Sequence, residues 1–597
     1  MPPQPLFGEG AERKPLRQNP FMRQTTPFGA RCFLVLTTAT LSALFGWGLT
    51  QALALGSGGT ALHYAFLVVS ILGFTWMAFG AANAVLGAYV LATGQHGDSV
   101  QLAPAGTPLM TRTALLFPIY HESPATIAET ISTLADELEQ RRIVDKFEVF
   151  ILSDSQDLVK RNAESLLFAD LTHAMAPHIR CTYRSRDQNI GKKAGNIADW
   201  VTRWGQDFEH FVVFDADSRM SADTLSRLAA TMQQSPDTAL IQTVPALVGS
   251  HTIFGWLQEF ASALSGRIAA AGFAAWQGAA GNYWGHNAII RTQAFADSAG
   301  LPVLPGRPPF GGHIQSHDFV EAALLHRAGW RVALVTSIDG SYEGAPQSLI
   351  DMTIRDRRWM QGNLQHGRIL RADGLRPISR IHLAMGIASY LSSALWAAMI
   401  ALGILLVWQE QERALTYFSD QKTLFPVWPV FDPQAGLRLV FATMAIVFLP
   451  KLIGLCMAVM TARRRGLAPL IAGWLVEVVY STLLAPVSMM QHLKGIIEIA
   501  IGRDSGWQSQ NRAGSTIGLG EAMRFHSLHV ATGFALAACA MTLSWHAFLW
   551  LSPMTLGLAI SPVLTVLTSL PVRRTFSDRV QPDGSPPLPG AAPPPSR

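Results

Sequence analysis

The stretch Phe211-Val-Val-Phe-Asp-Ala-Asp-Ser218 is a short apolar run that ends in two acidic residues. The apolar part is typical of a buried strand, and the carboxylates of Asp215 and Asp217 follow directly at its end. Mg²⁺ prefers one or two protein carboxylates, with phosphate oxygens and waters completing its octahedron. The stretch therefore predicts a strand tip that holds a divalent cation on a nucleotide diphosphate, which indicates nucleotide-sugar chemistry.

Short β-type runs alternate with helical patterns around this stretch, which is typical of an α/β domain with a mostly parallel sheet. Helical patterns fill the intervals, for example residues 126–141 and 191–204. Ligands of such sheets bind beyond the carboxyl ends of the strands. The candidate strands are residues 114–119, 147–152, 181–183, 211–214, 240–244 and 331–335.

Long apolar segments flank this domain on both sides. The chain has 597 residues and is only 15% charged, whereas soluble domains carry ~25% charged residues. Segments of ~20 apolar residues are long enough to cross a bilayer. We expect a polytopic membrane protein with six to eight spans, drawn from residues 32–55, 64–93, 382–408, 439–461, 467–502 and 527–570.

Basic residues near span ends mark the cytoplasmic side of a membrane protein. They cluster in the tail at residues 13–31, in the turn at residues 463–465 and at residues 573–579. Both termini are therefore expected in the cytoplasm, which requires an even number of crossings. Residues 467–502 are long for one span and short for two, so we expect an interrupted or re-entrant pair, or one interfacial helix plus one span.

Cysteine usage and net charge narrow the function classes. Cys32, Cys181, Cys456 and Cys539 are scattered without a CxxC pair, so neither a disulfide framework nor a zinc site is expected. The formal net charge of +5 indicates a basic collar that faces lipid rather than a nucleic-acid site.

Polar motifs follow the candidate strands in order along the chain. Asp154 ends the second strand, where a carboxylate can accept hydrogen bonds from a base or a ribose. Lys192 and Lys193 begin a helix, where backbone N–H groups and an ammonium group suit a diphosphate. The later motifs are Gly281-Asn-Tyr-Trp-Gly-His-Asn287, Ser316-His-Asp318 and Arg355-Asp-Arg-Arg-Trp-Met-Gln361.

This order resembles the processive inverting glycosyltransferases of family 2, the cellulose- and hyaluronan-synthase group. That group has a cytoplasmic GT-A domain between transmembrane helices, with an acid at the second strand, a DxD pair, a TED-like triplet and a Q-x-x-R-W motif. The chain is most similar to the glucans biosynthesis glucosyltransferase H branch, which makes the backbone of osmoregulated periplasmic glucans in Gram-negative bacteria. That branch reads Arg-Asp-Arg-Arg-Trp, as residues 355–359 do here. The resemblance covers residues 114–512.

The resemblance implies a role for each motif residue. Asp154 contacts the uridine, Lys193 approaches the diphosphate, and Asp215 and Asp217 hold the nucleotide and a Mg²⁺ or Mn²⁺ ion. Asp318 deprotonates the acceptor hydroxyl as the general base. One base is enough because the hydroxyl attacks the anomeric carbon from the face opposite UDP, so the configuration inverts.

The same resemblance implies that the last motif contacts both the leaving diphosphate and the acceptor sugar. Arg358 stabilises the leaving diphosphate and Trp359 stacks on the acceptor sugar. Arg355 and Gln361 are further substrate-binding candidates. Trp507 and Arg512 lie where relatives carry a gating loop over the active site, so a nucleotide contact is expected there.

Two charged residues, Lys451 and Glu477, lie within predicted spans. Charges inside a membrane usually pair or line a wet path. One hypothesis is that both face a glucan channel, near each other. The alternative is that Lys451 snorkels beside Pro450 while Glu477 caps an interrupted helix.

Each motif also has a purely structural interpretation. A DxD after a strand is often a turn with a helix cap, and Asp318 alone fits an N-cap. Residues 355–358 fit a solvated or lipid-facing basic face, and Trp359 fits a core residue. His286 and His317 are expected to be hydrogen-bonded structural histidines. The ordered set of motifs favours the enzyme over these interpretations.

The sequence therefore favours an inner-membrane, metal-dependent glucosyltransferase that extends a glucan from UDP-glucose and passes it outward. A β-1,2 linkage, an acyl carrier protein partner and a periplasmic glucan-processing partner are implied by the branch resemblance alone. The alternatives are a non-processive polyprenyl-phosphate glycosyltransferase and a non-catalytic glucan transporter with a nucleotide-sensing domain.

The expected organisation has seven parts. They are a basic cytoplasmic tail (1–31), two transmembrane helices (32–93), a GT-A domain with interfacial helices (94–380), transmembrane helices including an interrupted or re-entrant segment (381–502), a cytoplasmic gating-loop-like segment (503–526), a transmembrane hairpin (527–571) and a disordered Pro-rich tail (572–597).

Overall fold

The fold comes from a computed structural model that describes residues 1–17, 27–55, 59–95, 97–175, 178–412, 433–461, 466–504 and 516–572. The gating-loop candidates Trp507 and Arg512 lie outside these residues. So do the basic turn at residues 463–465 and the Pro-rich tail from residue 573.

Ten strands lie between two groups of long helices in the described residues. The strands are β1 (Thr113–Ile119), β2 (Phe147–Ser153), β3 (Cys181–Ser185), β4 (His210–Val213), β5 (Ser218–Met220), β6 (Thr238–Thr243), β7 (Ala246–Val248), β8 (Ala288–Arg291), β9 (Arg331–Val335) and β10 (Ser341–Gly344).

The helices divide into a membrane group and a group that covers the sheets. They are α1 (Phe28–Ala52), α2 (Ala61–Ala92), α3 (Pro124–Gln140), α4 (Leu158–Met175), α5 (Lys192–Trp204), α6 (Ala222–Gln234), α7 (Ile253–Ala261), α8 (Arg267–Gln277), α9 (Thr292–Ser298), α10 (His317–Arg327), α11 (Leu349–Gln365), α12 (Pro377–Glu412), α13 (Pro433–Thr461), α14 (Leu467–Ala500), α15 (Leu519–Leu543), α16 (Trp545–Ala559) and α17 (Ser561–Thr568).

Seven strands form one sheet in the order β3-β2-β1-β4-β8-β6-β9, and β5, β10 and β7 form a smaller one. In the large sheet only β8 runs antiparallel to its neighbours. The predicted α/β domain with a mostly parallel sheet is confirmed. The sequence pattern does not single out β5, β7, β8 or β10, because each has only three or four residues.

The two faces of the large sheet bury alternate residues of β1. Leu115 and Phe117 lie on the face covered by α3 and α6, and the Phe117 ring stacks on Phe214 at 4.6 Å. Ala114 and Leu116 lie on the opposite face, which Trp200 of α5 covers. Both faces of β1 are therefore buried, which explains why the strand is an almost continuous apolar run.

Six helices in the described part of the chain are long and apolar enough to cross a membrane, and the bent pair of α16 and α17 adds a seventh candidate. This count confirms the predicted six to eight spans. The six are α1, α2, α12, α13, α14 and α15.

The expected interruption in residues 467–502 is wrong, because α14 is one continuous helix of 34 residues that contains Pro486. Its buried residues recur every three or four positions from Leu470 to Leu484, and further buried residues follow as far as Ile499. A stripe of this kind packs one face of the helix along its whole length. The free energy gained from this packing exceeds the cost of the one backbone hydrogen bond that Pro486 cannot donate.

The break in the membrane region lies instead in the expected transmembrane hairpin at residues 527–571. Helices α16 and α17 are bent by 53° relative to each other. Pro562 lies at the start of α17, where its ring is tolerated because a first-turn N–H has no partner within the helix.

Helix α8 joins the domain to α2 at close range. A Cβ on Gly272 would lie 2.3 Å from the backbone oxygen of Asn83, and a Cβ on Gly87 would lie 1.9 Å from that of Ile268. The Asn83 side chain donates a hydrogen bond to the Ala269 carbonyl at 3.0 Å. Small residues let two helix backbones approach closely, so this crossing attaches the domain to the membrane helices.

The amino-terminal segment, residues 1–17, packs on the domain. The Gln4 N–H donates to the Gly300 carbonyl at 2.8 Å, and the Lys14 N–H donates to the Arg327 carbonyl at 3.0 Å. The Arg17 guanidinium lies 3.5 Å from the centre of the Trp330 ring. The segment therefore contacts the carboxyl end of α10.

Lys451 of α13 and Glu477 of α14 form an ion pair at 2.5 Å. The Lys451 ammonium also donates to the Ser481 hydroxyl at 2.8 Å, and the Trp474 indole donates to the Lys451 carbonyl at 3.2 Å. The hypothesis that the two charges lie near each other is confirmed. The snorkelling and capping alternative is wrong, because the pair joins two helices.

Reversing one charge of this pair should destabilise the protein, since Lys451→Glu or Glu477→Lys places like charges together. Breaking a buried pair costs about 3–5 kcal/mol, so each variant should give less folded protein and a lower Tm in detergent. The double reversal should recover most of both quantities. Arg524→Glu, at an exposed position of α15, is the matched control and should behave like wild type. A double reversal no better than the single variants would contradict the pairing.

Candidate active site

The carboxyl end of β2 carries Asp154, whose carboxylate is buried. Arg186, just after β3, holds it through two hydrogen bonds of 2.6 Å each. Burial raises the pKa of the Asp154 carboxyl, and the Arg186 guanidinium opposes that shift. A bidentate pair of this kind fixes the carboxylate in one orientation. Sequence reasoning missed Arg186, although its position after a strand was an available signal.

The start of α5 confirms the predicted helix at residues 191–204. Gly191 has φ 71° and Lys192 has φ 52°, so the chain turns sharply before the helix begins. A Cβ on Gly195 would lie 2.1 Å from the Ile190 carbonyl oxygen, so the first turn packs against that loop. The amino end of α5 therefore begins with two lysines, Lys192 and Lys193.

Lys192 lies next to the last motif. Its ammonium is partly buried, and burial lowers its pKa. The negative charge of Asp504 opposes this shift, and the positive charge of Arg358 adds to it. Arg358 on α11 and Lys192 on α5 therefore lie close enough for their charges to interact.

Asp215 follows β4 directly and pairs with the Lys193 ammonium. The same ammonium donates to the Gly285 carbonyl at 2.8 Å. Lys193 thus occupies the position beside Asp215 where a cation is expected. The two partners of Lys193 are far apart in sequence, so the contact depends on the fold of the whole domain.

The turn of the structural interpretation of the DxD pair is present, since the Ser218 N–H donates to the Asp215 carbonyl at 3.0 Å, but Asp217 is not the N-cap of α6. The cap of α6 is Ser221, whose hydroxyl accepts from the Thr224 N–H at 3.2 Å. The Asp217 carbonyl accepts from the Gly344 N–H at 3.1 Å, which ties the pair to β10.

Asp318 is the second residue of α10, and the N-cap is Ser316. The N-cap interpretation of Asp318 is therefore wrong. The Ser316 hydroxyl donates to Oδ1 of Asp318 at 3.0 Å. A Cβ built on Gly285 would lie 3.5 Å from Oδ2 of Asp318. Because the Gly285 carbonyl also accepts from Lys193, Asp215 and Asp318 line one cleft on either side of Gly285.

The surroundings of the buried Tyr283 hydroxyl also place Asp215 and Asp318 close together. Burial raises its pKa well above the usual value, and the charges of Glu321, Asp318 and Asp215 raise it further. Three carboxylates from α10 and the end of β4 therefore surround one phenol.

Helix α11 presents Arg355 and Trp359 one turn apart. The Arg355 guanidinium lies 4.5 Å from the centre of the Trp359 ring. The Trp359 side chain is 46% exposed, so its interpretation as a core residue is wrong. Gln361 donates to the Asp504 carboxylate at 2.8 Å. The helix thus offers an exposed indole at the cleft and an amide held at the end of α14.

Glu343 of β10 is a further acidic residue at this site, and sequence reasoning missed it. It lies opposite Ser218 in the register of β5 and β10. Burial raises its pKa; nearby His286 and Arg355 lower it, whereas Asp217 and Asp215 raise it. No sequence signal identified Glu343, because the small sheet that places it has strands of three or four residues.

The two histidines near the cleft have hydrogen-bond partners, as expected for structural residues. His286 Nδ1 lies 3.1 Å from the Ser218 hydroxyl. His317 Nδ1 lies 3.0 Å from the Glu321 carboxylate. Both rings are therefore engaged within the protein.

Comparison with known families covers most of the chain. The profile of "Glycosyl transferase family group 2" matches residues 210–493, and that of "Glycosyl transferase family 2" matches residues 115–298. Both matches include the DxD pair. They support the GT-A fold, whose sheet and flanking helices are described above.

Curated relatives extend the likeness to the membrane helices. The glucans biosynthesis glucosyltransferase H of Vibrio cholerae is 41% identical over 543 residues, which is 90% of this chain and 75% of that protein. The protein of the same name from Rhodopseudomonas palustris is 40% identical over 92% of this chain and 77% of its own length.

Among solved structures, a mannosyltransferase from Pyrobaculum calidifontis in complex with GDP-mannose and Mn²⁺ aligns with a TM-score of 0.40 and 16% identity. The alignment covers 64% of this chain and 96% of the other. The family assignment rests on the sequence relatives and not on this alignment. By their identity and coverage, this chain belongs to the glucans biosynthesis glucosyltransferase H family, and it is a multi-pass membrane glucosyltransferase of glucan synthesis.

Proposed function

We propose that the protein is a processive inverting glucosyltransferase that transfers glucose from UDP-glucose to a growing β-glucan and passes the product across the inner membrane. The observation that carries the proposal is the shared cleft, in which Asp215 and Asp318 lie on either side of Gly285. A sugar donor bound at Asp215 would therefore lie next to a general base, Asp318.

The donor site would be assembled from three strand ends. Asp154, held by Arg186, faces the uridine, and the amino end of α5 faces the diphosphate. Lys193 pairs with Asp215 in the free protein. When the donor binds, the Lys193 ammonium would leave Asp215 and pair with the diphosphate instead.

A divalent cation fits this donor set. Among the described residues no group of three or more His, Cys, Asp or Glu side chains has the arrangement of a complete metal site. Two carboxylates that share an ion with phosphate oxygens need no such group, and Mg²⁺ is commonly bound in that way. Asp215 and Asp217 would hold Mg²⁺ or Mn²⁺, which offsets the charge of the diphosphate when bound.

The chemical step needs one proton acceptor. Asp318 takes the proton of the acceptor hydroxyl, whose oxygen forms a bond to the anomeric carbon of glucose. The bond between that carbon and the diphosphate oxygen breaks, and the configuration inverts. UDP leaves with an added negative charge, which Arg358 and Lys192 offset in a site shielded from water.

The acceptor side is formed by α11. The exposed Trp359 ring is a flat surface on which the axial C–H groups of a pyranose can stack. Asn363 of the same helix packs against the membrane helix α12, where a Cβ on Gly386 would lie 2.0 Å from Oδ1 of Asn363. A glucan that lengthens against Trp359 would therefore extend toward the membrane helices. The β-1,2 linkage and the inner-membrane location are supported by the family alone.

We further propose that α14 lies along the cytoplasmic face of the membrane and does not cross it. The Tyr480 ring lies 6.3 Å from Phe254 of α7, and Gly495 packs on Met360 of α11. Both halves of α14 therefore touch the α/β domain. A helix of this length spans about 51 Å, well beyond the ~30 Å hydrocarbon core. Six crossings remain, which agrees with both termini in the cytoplasm.

The enzymatic proposal predicts that purified protein with labelled UDP-glucose and Mg²⁺ forms long glucan. Asp318→Asn should lower turnover about 10²–10⁴-fold, the usual contribution of a general base. It should leave UDP affinity within about twofold, since the charges of the donor site are retained. Asp217→Asn should weaken metal-dependent UDP binding.

The control for both variants is Asp223→Asn. Asp223 pairs with Arg141 at the start of α6, so its variant should retain activity. A single lipid-linked glucose would indicate a polyprenyl-phosphate glycosyltransferase, and no turnover would indicate a transporter. Equal use of UDP-galactose would contradict the donor assignment, and linkage analysis of the product would test the β-1,2 bond.

The topology proposal predicts labelling at both ends of α14 from the same side. In a protein without its native cysteines, Ala468→Cys and Ile501→Cys occupy exposed positions. Both should react with an impermeant maleimide in inverted vesicles only. Ala61→Cys, at the first turn of α2, is the control and should react in right-side-out vesicles only. Labelling of residues 468 and 501 from opposite sides would show that α14 crosses the membrane.

A further inference from the structure

We propose that His492 of α14 is a positioning residue, which holds α11 so that Arg358 and Trp359 face the cleft. The inference rests on the proposed function, because it gives α11 the leaving-group arginine and the acceptor platform. His492 itself lies on α14, outside the motif that it positions.

The His492 ring joins three helices. Its Nε2 lies 3.0 Å from Oδ2 of Asp356 on α11, and its Nδ1 lies 2.9 Å from the Ser393 hydroxyl on α12. The edge of the ring packs against Tyr390, with the ring centres 5.2 Å apart and the planes at 74°. A neutral imidazole with its proton on Nε2 donates to Asp356 and accepts from Ser393, so both ring nitrogens are satisfied.

The position of Asp356 makes this bridge relevant to the reaction. Asp356 lies within the Arg355–Trp359 motif, immediately after Arg355 and two residues before Arg358. Successive helix residues differ by ~100° in direction. Fixing Asp356 toward α14 therefore sets the direction in which Arg355, Arg358 and Trp359 point.

Further contacts between α11 and the end of α14 extend the same interface. Arg357 pairs with Glu498 at 3.4 Å and donates to the Arg503 carbonyl at 3.0 Å. A Cβ on Gly495 would lie 2.8 Å from the Met360 sulfur, so the two helices approach closely there. His492 also reaches α12 through Ser393, so its ring joins three helices rather than two.

The other end of α11 holds the loop before the proposed base. The Gln365 side chain accepts from the Gln315 N–H at 2.9 Å, and His366 Nε2 lies 3.0 Å from the Ser316 carbonyl. A Cβ on Gly362 would lie 2.5 Å from the Ser316 nitrogen. A rotation of α11 would therefore also move the N-cap of α10, whose hydroxyl contacts Asp318.

The test compares His492→Ala, His492→Gln, Asp356→Asn and the double variant His492→Ala/Asp356→Asn in the full-length protein. Each single variant should lower kcat about 10- to 100-fold, the effect of misplacing reacting groups by about 1 Å. The affinity for UDP should stay within about twofold, because Asp154, Lys193 and Asp215 lie on other elements. The double variant should be no worse than His492→Ala alone, since that change already removes the contact with Asp356.

Hydrogen exchange of the α11 peptide, residues 349–365, provides a readout that does not depend on turnover. The peptide should exchange about tenfold faster in His492→Ala than in wild type, while residues 192–204 of α5 stay unchanged. His526→Ala is the matched control, because His526 is buried and bonds to Thr565 on α17 at 2.8 Å, away from α11. Its kcat should stay within about twofold of wild type.

Unchanged exchange of α11 in His492→Ala, or losses of kcat that add in the double variant, would overturn the proposal. If His492→Ala does not fold, His492→Gln and Ser393→Ala carry the same comparison, because each leaves part of the bridge. Wild-type protein that makes no glucan would refute the proposed function instead, and the exchange measurement would still decide the role of His492.

Discussion

One ammonium group connects the parts of the site. Lys193 of α5 pairs with Asp215 after β4 and donates to the carbonyl of Gly285, whose α-carbon faces Asp318 of α10. Three elements that are distant in sequence therefore meet at a single cation. The ammonium group therefore offsets part of the negative charge that Asp215 and the neighbouring acidic residues bring to the cleft.

The cleft is held from the membrane side as well as from the sheet. Gly87 and Gly272 let α2 and α8 cross at backbone contact, so the domain is fixed to the first pair of membrane helices. Helix α11 is fixed to the second group through α12 and α14. The residues proposed to react belong to the domain, whereas His492 and Ser393, which are proposed to orient α11, belong to the apolar segments. The position of α11 and the packing of the membrane helices therefore depend on the same contacts.

Much of this arrangement could be read from the sequence, and the exceptions have physical reasons. The strands that carry Asp154 and Asp215 are buried on both faces, and such strands are continuous apolar runs that a pattern search finds. Glu343 was missed because its position depends on pairing between elements and not on a local period, whereas Arg186 follows a strand and could have been identified. The interruption expected within residues 467–502 was wrong because it was argued from the length of the segment, whereas packing along the helix keeps the backbone continuous. The contact between Lys193 and Gly285 joins residues that no local pattern relates.

The amino-terminal segment has a consequence for how related sequences can differ. Three glycines of the domain lie directly beneath it: a Cβ on Gly300, Gly374 or Gly329 would lie 1.9, 2.1 or 2.2 Å from the carbonyl oxygen of Pro2, Ala11 or Pro15. These contacts involve main-chain atoms, so they constrain the number of residues between them far more than the identity of those residues. Insertions and deletions within residues 2–15 should be rarer among relatives than substitutions, even though the segment has no helix or strand of its own.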